Sequence, residues 1–87
     1  MFFIHFTPKA FKEMESLDRE IRNRIGKKLE FFCSSKNPFY FAKRLTGSNN
    51  DFFRFKIGNY RVIFYASKGE IIVLRVGHRS NVYKQFS

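Results

Sequence analysis

Residues 51–79, DFFRFKIGNYRVIFYASKGEIIVLRVGHR, decide the fold of this chain. Three runs rich in β-branched and aromatic residues are separated by two glycine-containing dipeptides. The runs are 51–57, 60–67 and 70–78, and the dipeptides are Gly58-Asn59 and Lys68-Gly69. Two-residue links of this kind are strong signals for tight turns between antiparallel strands. The stretch therefore predicts a three-stranded antiparallel meander.

The residues before the meander predict one strand and two helices. Residues 2–7 favour a strand, Thr7 is a candidate helix cap, and Pro8 suits the first helical position. Apolar residues then recur at helical spacing in two segments, with Asp18 as a cap for the second. The two stripes are Ala10, Phe11, Met14 and Leu17, then Ile21, Ile25, Leu29 and Phe32. The short junction between them predicts an antiparallel helical hairpin.

The whole chain, residues 1–87, is expected to form a single α+β domain. We expect the amino-terminal strand to join the meander in a four-stranded sheet, with the helical hairpin packed on one face. Residues 34–50 are expected to be irregular, and residues 80–87 to include a short helical turn. Because 87 residues bury little surface, the core depends on the 13 Phe and 4 Tyr side chains.

The charge of the chain points to a polyanionic partner. It has 17 Lys and Arg against 7 Asp and Glu, a net charge of +10. Nucleic acid, an anionic membrane and an acidic protein are the partners that such an excess suits. No apolar run is long enough to span a bilayer, the amino terminus lacks the features of a signal peptide, and Cys33 has no disulfide partner. These features predict a cytoplasmic protein without membrane association.

The Gly58-Asn59 turn fixes which residues oppose each other. It pairs Lys56 with Arg61 and places Arg54 on the same face, while the other face carries apolar side chains. Like charges directly opposite each other are destabilising, which a fold tolerates best when the cluster binds an anion. The alternative is a solvated outer face of the sheet.

The end of the third strand adds His78, Arg79 and Tyr83, which we expect to converge with Arg61. An unbroken register from the second turn places Arg75 on the core side, so it is expected to be structural and is left out of the site. Basic residues of the second predicted helix are either RNA contacts or a solvated face; those taken as RNA contacts are Arg24, Lys27 and Lys28.

Basic and aromatic residues of this kind can cleave RNA. The 2′-hydroxyl group of RNA is a built-in nucleophile, and fixed cations can stabilise the charge that develops on the phosphoryl group. His78 has the side chain best suited to proton transfer near neutral pH. The sequence contains no metal-binding motif and no phosphate-binding glycine loop, so no metal and no cofactor are expected. Cys33 follows an apolar helix face and is expected to be a core or helix-end residue rather than a nucleophile.

Segments 54–64 (RFKIGNYRVIF), 73–79 (VLRVGHR) and 81–83 (NVY) resemble those of the RelE/ParE toxin superfamily. The resemblance covers essentially the whole chain and is most specific in the carboxyl half. It implies a toxin of a type II toxin–antitoxin system, in which RelE-like members cleave mRNA in the ribosomal A site without a metal.

The resemblance also implies catalytic roles for individual residues. Arg54 matches a catalytic lysine of the family, Arg61 the arginine after the hairpin turn, and Arg79 the arginine that follows a Val-Gly dipeptide. Tyr83 matches a terminal tyrosine, and His78 stands where the best-known member has a lysine. Lys56 and Arg54 are expected to bind the RNA phosphates.

Two departures from the family pattern affect the expected chemistry. Arginine replaces the lysine at Arg54, and Phe52 occupies a position where the family has another basic residue. Since arginine does not shed a proton readily, proton transfer is expected to fall to His78 or Tyr83.

The expected partners are the ribosome, mRNA and a cognate acidic antitoxin that forms a hetero-oligomer with the toxin. The antitoxin is expected to cover the apolar sheet edge or helices and to mask the basic residues. Two alternatives stay open: a ParE-like inhibitor of DNA gyrase without nuclease activity, and an inactive toxin fold that only binds a partner.

Overall fold

The computed structural model describes residues 1–46 and 51–83. These residues form two α-helices, one 3₁₀-helix and a five-stranded sheet, which confirms the predicted α+β class. The elements in chain order are β1 (Phe3–Phe6), α1 (Pro8–Glu15), α2 (Arg19–Ser34), the 3₁₀-helix Pro38–Phe41, β2 (Ala42–Arg44), β3 (Phe53–Ile57), β4 (Tyr60–Ser67) and β5 (Glu70–His78). No helix in the described ranges is long and apolar enough to cross a bilayer.

The predicted meander is confirmed. β3 and β4 pair antiparallel across the Gly58-Asn59 turn, with Ile57 opposite Tyr60 and Lys56 opposite Arg61. Gly58 has a φ of 60°, a conformation that glycine adopts without steric cost. The turn between β4 and β5 has positive φ at both of its central residues, 68 and 69, as in the turns that match the twist of a hairpin.

The sheet has one strand more than expected. β2 pairs antiparallel with β3 and forms one edge, while β1 runs parallel to β5 at the other, giving the order β1-β5-β4-β3-β2. The prediction of an irregular stretch at 34–50 is wrong for residues 38–41, which form the 3₁₀-helix, and for residues 42–44, which form β2. A strand of three residues is too short to show a periodic pattern, and pairing with β3 creates it.

Both helices begin where the sequence predicts. The Thr7 hydroxyl accepts a hydrogen bond from the Ala10 amide at 3.2 Å, and Pro8 occupies the first turn of α1. α2 follows Asp18, whose side chain makes no capping hydrogen bond and whose carbonyl accepts from the Arg22 amide at 2.8 Å. The two helices are thus joined by three residues, 16–18.

Aromatic side chains form the centre of the core between the helices and the sheet. Phe55 and Phe64 are fully buried and stack at 4.4 Å between ring centroids. Phe32 of α2 lies 4.6 Å from Phe55, so the second helix is held directly on β3 and β4. One face of the sheet is therefore covered, and the alternation of the strands leaves the basic residues on the other.

A β-bulge in β5 corrects the predicted register. Phe64 opposes Val73 and Ile63 opposes Arg75, so Leu74 is an extra residue. The unbroken register on which the expected placement of Arg75 depended is therefore wrong. Arg75 is nevertheless structural, because its guanidinium pairs with the carboxylate of Glu13 on α1 at 2.9 Å.

Candidate nucleic-acid interface

Cations from three adjacent strands share the face of the sheet opposite the core. Lys43 opposes Arg54, and Lys56 opposes Arg61 in the next row, while the alternate residues of β3 and β4 pack in or against the core. We call Lys43, Arg54, Lys56 and Arg61 the basic face. Four positive charges thus lie on adjacent strand positions.

Arg61 is the most constrained member of the basic face. The residue is only 7% exposed. Nη1 donates to the carbonyl oxygens of Gly58 and Tyr60, both at 2.9 Å, which fixes the plane of the guanidinium at the turn. No carboxylate in the described part of the chain forms an ion pair with it. A fixed, nearly buried and uncompensated charge suits an external anion, since burial strengthens electrostatic interactions.

The other cations nearby differ in how available they are. Lys56 is exposed and Arg54 is partly buried. Arg44, the next residue after Lys43, pairs with Asp51 at 2.6 Å, so its charge is already compensated. Lys43 was not predicted as a site residue, because it lies in the stretch that was expected to be irregular.

His78 does not share the strand face of Arg61. It opposes Tyr60, whereas Arg61 opposes Gly77, so strand alternation places the imidazole one step away. Its ring contacts that of Tyr60 edge-on, with centroids 5.6 Å apart. Nδ1 lies 3.2 Å from the Ser80 amide, which donates to it, and 2.9 Å from the Ser80 hydroxyl oxygen. The neutral tautomer in which Nδ1 accepts from both groups carries its proton on Nε2. The Nε2 proton is therefore the one that His78 can donate.

The residues after β5 fold back onto the sheet. The amide of Arg79 donates to the carbonyl of Asn59 at 2.9 Å, which ties the carboxyl-terminal turn to the β3–β4 turn. Val82 is fully buried, and a Cβ placed at Gly77 would lie 3.5 Å from its Cβ. Tyr83, partly buried, follows this anchor. Arg79 and Tyr83 therefore both lie within a few residues of contacts to the β3–β4 hairpin and β5.

The predicted helical turn at 80–87 is only partly within the described residues. The amides of Asn81 and Val82 both donate to the carbonyl of His78, at 2.9 and 3.0 Å, which forms one turn. Residues 84–87 lie outside the described part of the chain.

The three basic residues of α2 that were predicted to contact RNA do not lie together on one surface. A Cβ placed at Gly58 would be 3.3 Å from Nη2 of Arg24, so this guanidinium covers the turn that also holds Arg61. Lys28 is exposed one helical turn further along. Lys27 instead lines a groove on another side of the helix. Only Arg24 is thus linked to the basic face through a shared residue.

Cys33 has the character of a core residue, as predicted. It is 6% exposed, and desolvation raises the pKa of its thiol above the ordinary value. A thiol of raised pKa is a poor nucleophile near neutral pH. No group of three His, Cys, Asp or Glu side chains within residues 1–46 and 51–83 is arranged to hold a metal ion.

Comparisons with known proteins agree with this fold. The chain matches a family model described as the ParE toxin of the type II toxin–antitoxin system parDE over residues 4–83. No match was found among curated proteins.

Three solved structures illustrate the similarity. The RelBE2 toxin–antitoxin complex of Mycobacterium tuberculosis has a TM-score of 0.75 at 24% identity, covering 90% of this chain and 98% of that one, and shows the fold alone. The RelB–RelE complex of Methanococcus jannaschii has a TM-score of 0.72 at 27% identity, covering 94% and 98%. Isolated E. coli RelE toxin has a TM-score of 0.73 at 27% identity, covering 99% and 95%.

The fold and these matches define a toxin of a type II toxin–antitoxin system. The chain belongs to the ParE toxin family, within the RelE/ParE superfamily.

Proposed function

We propose that this toxin is a ribosome-dependent, metal-independent endoribonuclease that cleaves mRNA and so inhibits translation. The observation that carries the proposal is the Arg61 guanidinium, 7% exposed and held by two turn carbonyls, with the Lys56 position directly opposite. This arrangement suits a phosphodiester whose charge increases during the reaction. The 27% identity to E. coli RelE and the resemblance in segments 54–64, 73–79 and 81–83 support the RelE-like, mRNA-cleaving branch of the superfamily.

The reaction would use the 2′-hydroxyl of the RNA as nucleophile. Its oxygen bonds to the adjacent phosphorus, the bond from phosphorus to the 5′ oxygen breaks, and the products carry a 2′,3′-cyclic phosphate and a 5′-hydroxyl. One group must take the proton of the 2′-hydroxyl, and another must give a proton to the leaving 5′ oxygen. The cations of the basic face would stabilise the negative charge between these steps.

Proton transfer falls to groups other than arginine. Arg54 and Arg61 keep their protons and so act as fixed charges and hydrogen-bond donors. His78, whose neutral form donates from Nε2, and Tyr83 are the proposed proton carriers, with Lys56 as a further donor. Arg79 would bind phosphate from the carboxyl-terminal turn.

We expect the purified toxin to cut translated mRNA and to leave 5′-hydroxyl ends. Primer extension on mRNA from a cell-free translation reaction would map the cuts, and the need for a kinase before ligation would identify the 5′-hydroxyl ends. A chelator selective for transition metals, which leaves ribosomal Mg²⁺ in place, should not prevent cleavage. The same mRNA without ribosomes is the control. Cuts that carry a 5′-phosphate would contradict the 2′-hydroxyl route.

Inhibition of DNA gyrase is the second candidate function, because the matching family model is that of the ParE toxin. A supercoiling assay with purified gyrase separates the two candidates. Intact mRNA at toxin concentrations that block supercoiling would support gyrase inhibition and exclude the nuclease function. If mRNA stays intact and gyrase is unaffected, the remaining candidate function is that of an inactive toxin fold that only binds a partner.

We propose that an acidic antitoxin binds the groove between β1, α1 and α2. The groove is open to solvent and has a volume of about 640 Å³, and its apolar wall is formed by Ile4, Phe6, Phe11, Met14 and Leu29. Phe11 is 54% exposed, an apolar area that a partner would cover favourably. The net charge of +10 favours an acidic partner, and the M. jannaschii relative was solved with its antitoxin. The resulting assembly is a hetero-oligomer.

Gly26→Leu is expected to weaken antitoxin binding at least tenfold without unfolding the toxin. Gly26 lines the groove, and a Cβ there meets nothing within 4 Å, so leucine would fill the groove. Replacing glycine by leucine also stabilises the helix by up to about 1 kcal/mol. Calorimetric titration with the antitoxin encoded in the same operon measures the effect. Glu20→Leu, the same side chain on α2 outside the groove, should bind normally. Unchanged affinity of Gly26→Leu would place the antitoxin elsewhere.

A further inference from the structure

Two aromatic rings outside the core are exposed and yet held in place. Tyr40 is 82% exposed and Phe31 is 56% exposed. Both contact Phe41, with ring centroids 5.2 Å from Tyr40 and 5.5 Å from Phe31. Phe41 stacks on the buried Phe32 at 4.8 Å, which connects the exposed rings to the core. Their exposed surfaces are therefore presented by a rigid support.

The exposed rings continue a row of cations on α2. Arg24, Lys28 and Phe31 follow each other at spacings of four and three, so they lie along one side of the helix. We call Arg24, Lys28, Phe31 and Tyr40 the aromatic–basic stripe. It starts at the β3–β4 turn, where Arg24 covers Gly58, and ends at the 3₁₀-helix.

The stripe and the basic face meet at one residue. The Gly58 carbonyl accepts from Nη1 of Arg61, while the Arg24 guanidinium lies against the same glycine. A strand of nucleic acid whose phosphate is bound at Arg61 could therefore continue along α2 without a gap in positive charge.

The composition of the stripe favours a nucleic acid over a protein helix. Single-stranded nucleic acids bind where cations track the phosphates and aromatic rings stack on the bases. A docked helix needs a continuous apolar groove, and the groove between β1, α1 and α2 lies along another side of α2, at Gly26 and Lys27.

We propose that the aromatic–basic stripe binds unpaired nucleotides of RNA, with phosphates at Arg24 and Lys28 and bases stacked on Phe31 and Tyr40. The inference rests on the proposed function in taking RNA as the ligand, but binding can be measured without cleavage. The stripe extends RNA contacts away from the reacting phosphate and so contributes to affinity rather than to chemistry.

The test uses the full chain and a short fluorescent oligoadenylate, with binding followed by anisotropy. Tyr40→Ala and Phe31→Ala should each weaken binding about tenfold, the effect of losing one stacked base. Tyr40→Phe, which keeps the ring, should bind as wild type does. Phe3→Ala removes another exposed ring, 68% exposed on β1 and off the stripe, and should also have no effect. Thermal unfolding of each variant controls for folding.

An abasic version of the oligonucleotide separates stacking from charge. Wild type and Tyr40→Ala should bind it equally, while Lys28→Ala should still weaken binding and reduce its salt dependence. Wild-type affinity of both ring variants for oligoadenylate would overturn the proposal. Ring variants that bind RNA normally but lose the antitoxin would instead make the stripe a protein interface.

The outcomes also separate this inference from the nuclease function. If the ring variants lose RNA affinity while wild type leaves translated mRNA intact, the stripe is supported and the nuclease function fails. If wild type cleaves mRNA and the ring variants bind oligoadenylate normally, the stripe alone fails.

Discussion

Arg61→Ala is expected to reduce mRNA cleavage about 10²- to 10³-fold, the usual cost of removing one preorganised donor from a developing charge. The size of the effect follows from the environment of Arg61. Its guanidinium is nearly buried, its plane is fixed by the carbonyls of Gly58 and Tyr60, and no described carboxylate pairs with it. Initial rates of mRNA cleavage in the translation reaction, compared at equal concentrations of folded toxin, measure the loss.

Arg61→Ala also removes two hydrogen bonds, so folding must be measured separately. Each bond contributes about 1 kcal/mol, and we expect the variant to unfold at lower urea concentration while it stays folded under assay conditions. Arg61→Lys keeps the charge but loses the planar fork, so its activity should lie between those of alanine and wild type. A kcat close to that of wild type in the folded alanine variant would remove Arg61 from the catalytic set.

Arg44→Ala is the matched control for a lost positive charge. Arg44 is exposed at the sheet edge and is already paired with Asp51 at 2.6 Å. Its removal changes the net charge as much as Arg61→Ala does but removes no charge available to a phosphate. We therefore expect cleavage close to the wild-type rate.

The β3–β4 hairpin could be predicted from the sequence because its information is local. The glycine of a two-residue turn fixes the register, and the register assigns each side chain to a face. Lys56 opposite Arg61 followed from that step, and the structure has the same pairing. The cap at Thr7 is equally local, because the hydroxyl and the Ala10 amide are three residues apart.

The β5 bulge could not be predicted, since an extra residue in a strand leaves no signal in composition. An unbroken register would place Gly77 opposite Tyr60, but the bulge places Gly77 opposite Arg61 and His78 opposite Tyr60. An unbroken register would put His78 on the same face as Arg61, whereas the bulge puts it on the opposite face. Strand β2 could not be predicted for a similar reason. Its three residues are too few to show a periodic pattern, and the strand is defined by its pairing with β3.

Glu13→Ala is expected to destabilise the fold by about 3 kcal/mol, the largest stability effect predicted for a single polar side chain here. The Glu13 carboxylate receives hydrogen bonds from Nε of Arg75 at 2.9 and 3.1 Å and from the Val76 amide at 3.0 Å. The side chains of Arg75 and Glu13 are 14% and 23% exposed, so removal of the carboxylate leaves a poorly hydrated cation beside an unsatisfied amide. Urea unfolding followed by circular dichroism gives the free energy of unfolding.

Comparison with two further variants separates charge burial from a general effect of changing α1. Glu15→Ala changes an exposed side chain two residues away. Its free energy of unfolding should lie within about 0.5 kcal/mol of that of wild type. Replacing both Glu13 and Arg75 by methionine should lower the free energy of unfolding by less than the sum of the losses in Glu13→Met and Arg75→Met. The reason is that the double variant leaves no unpaired charge behind. The double variant leaves the Val76 amide without its carboxylate acceptor, so some loss should persist. Additive losses in this cycle would mean that Glu13 acts on the bulge alone, through the Val76 amide, and that its pairing with Arg75 contributes little.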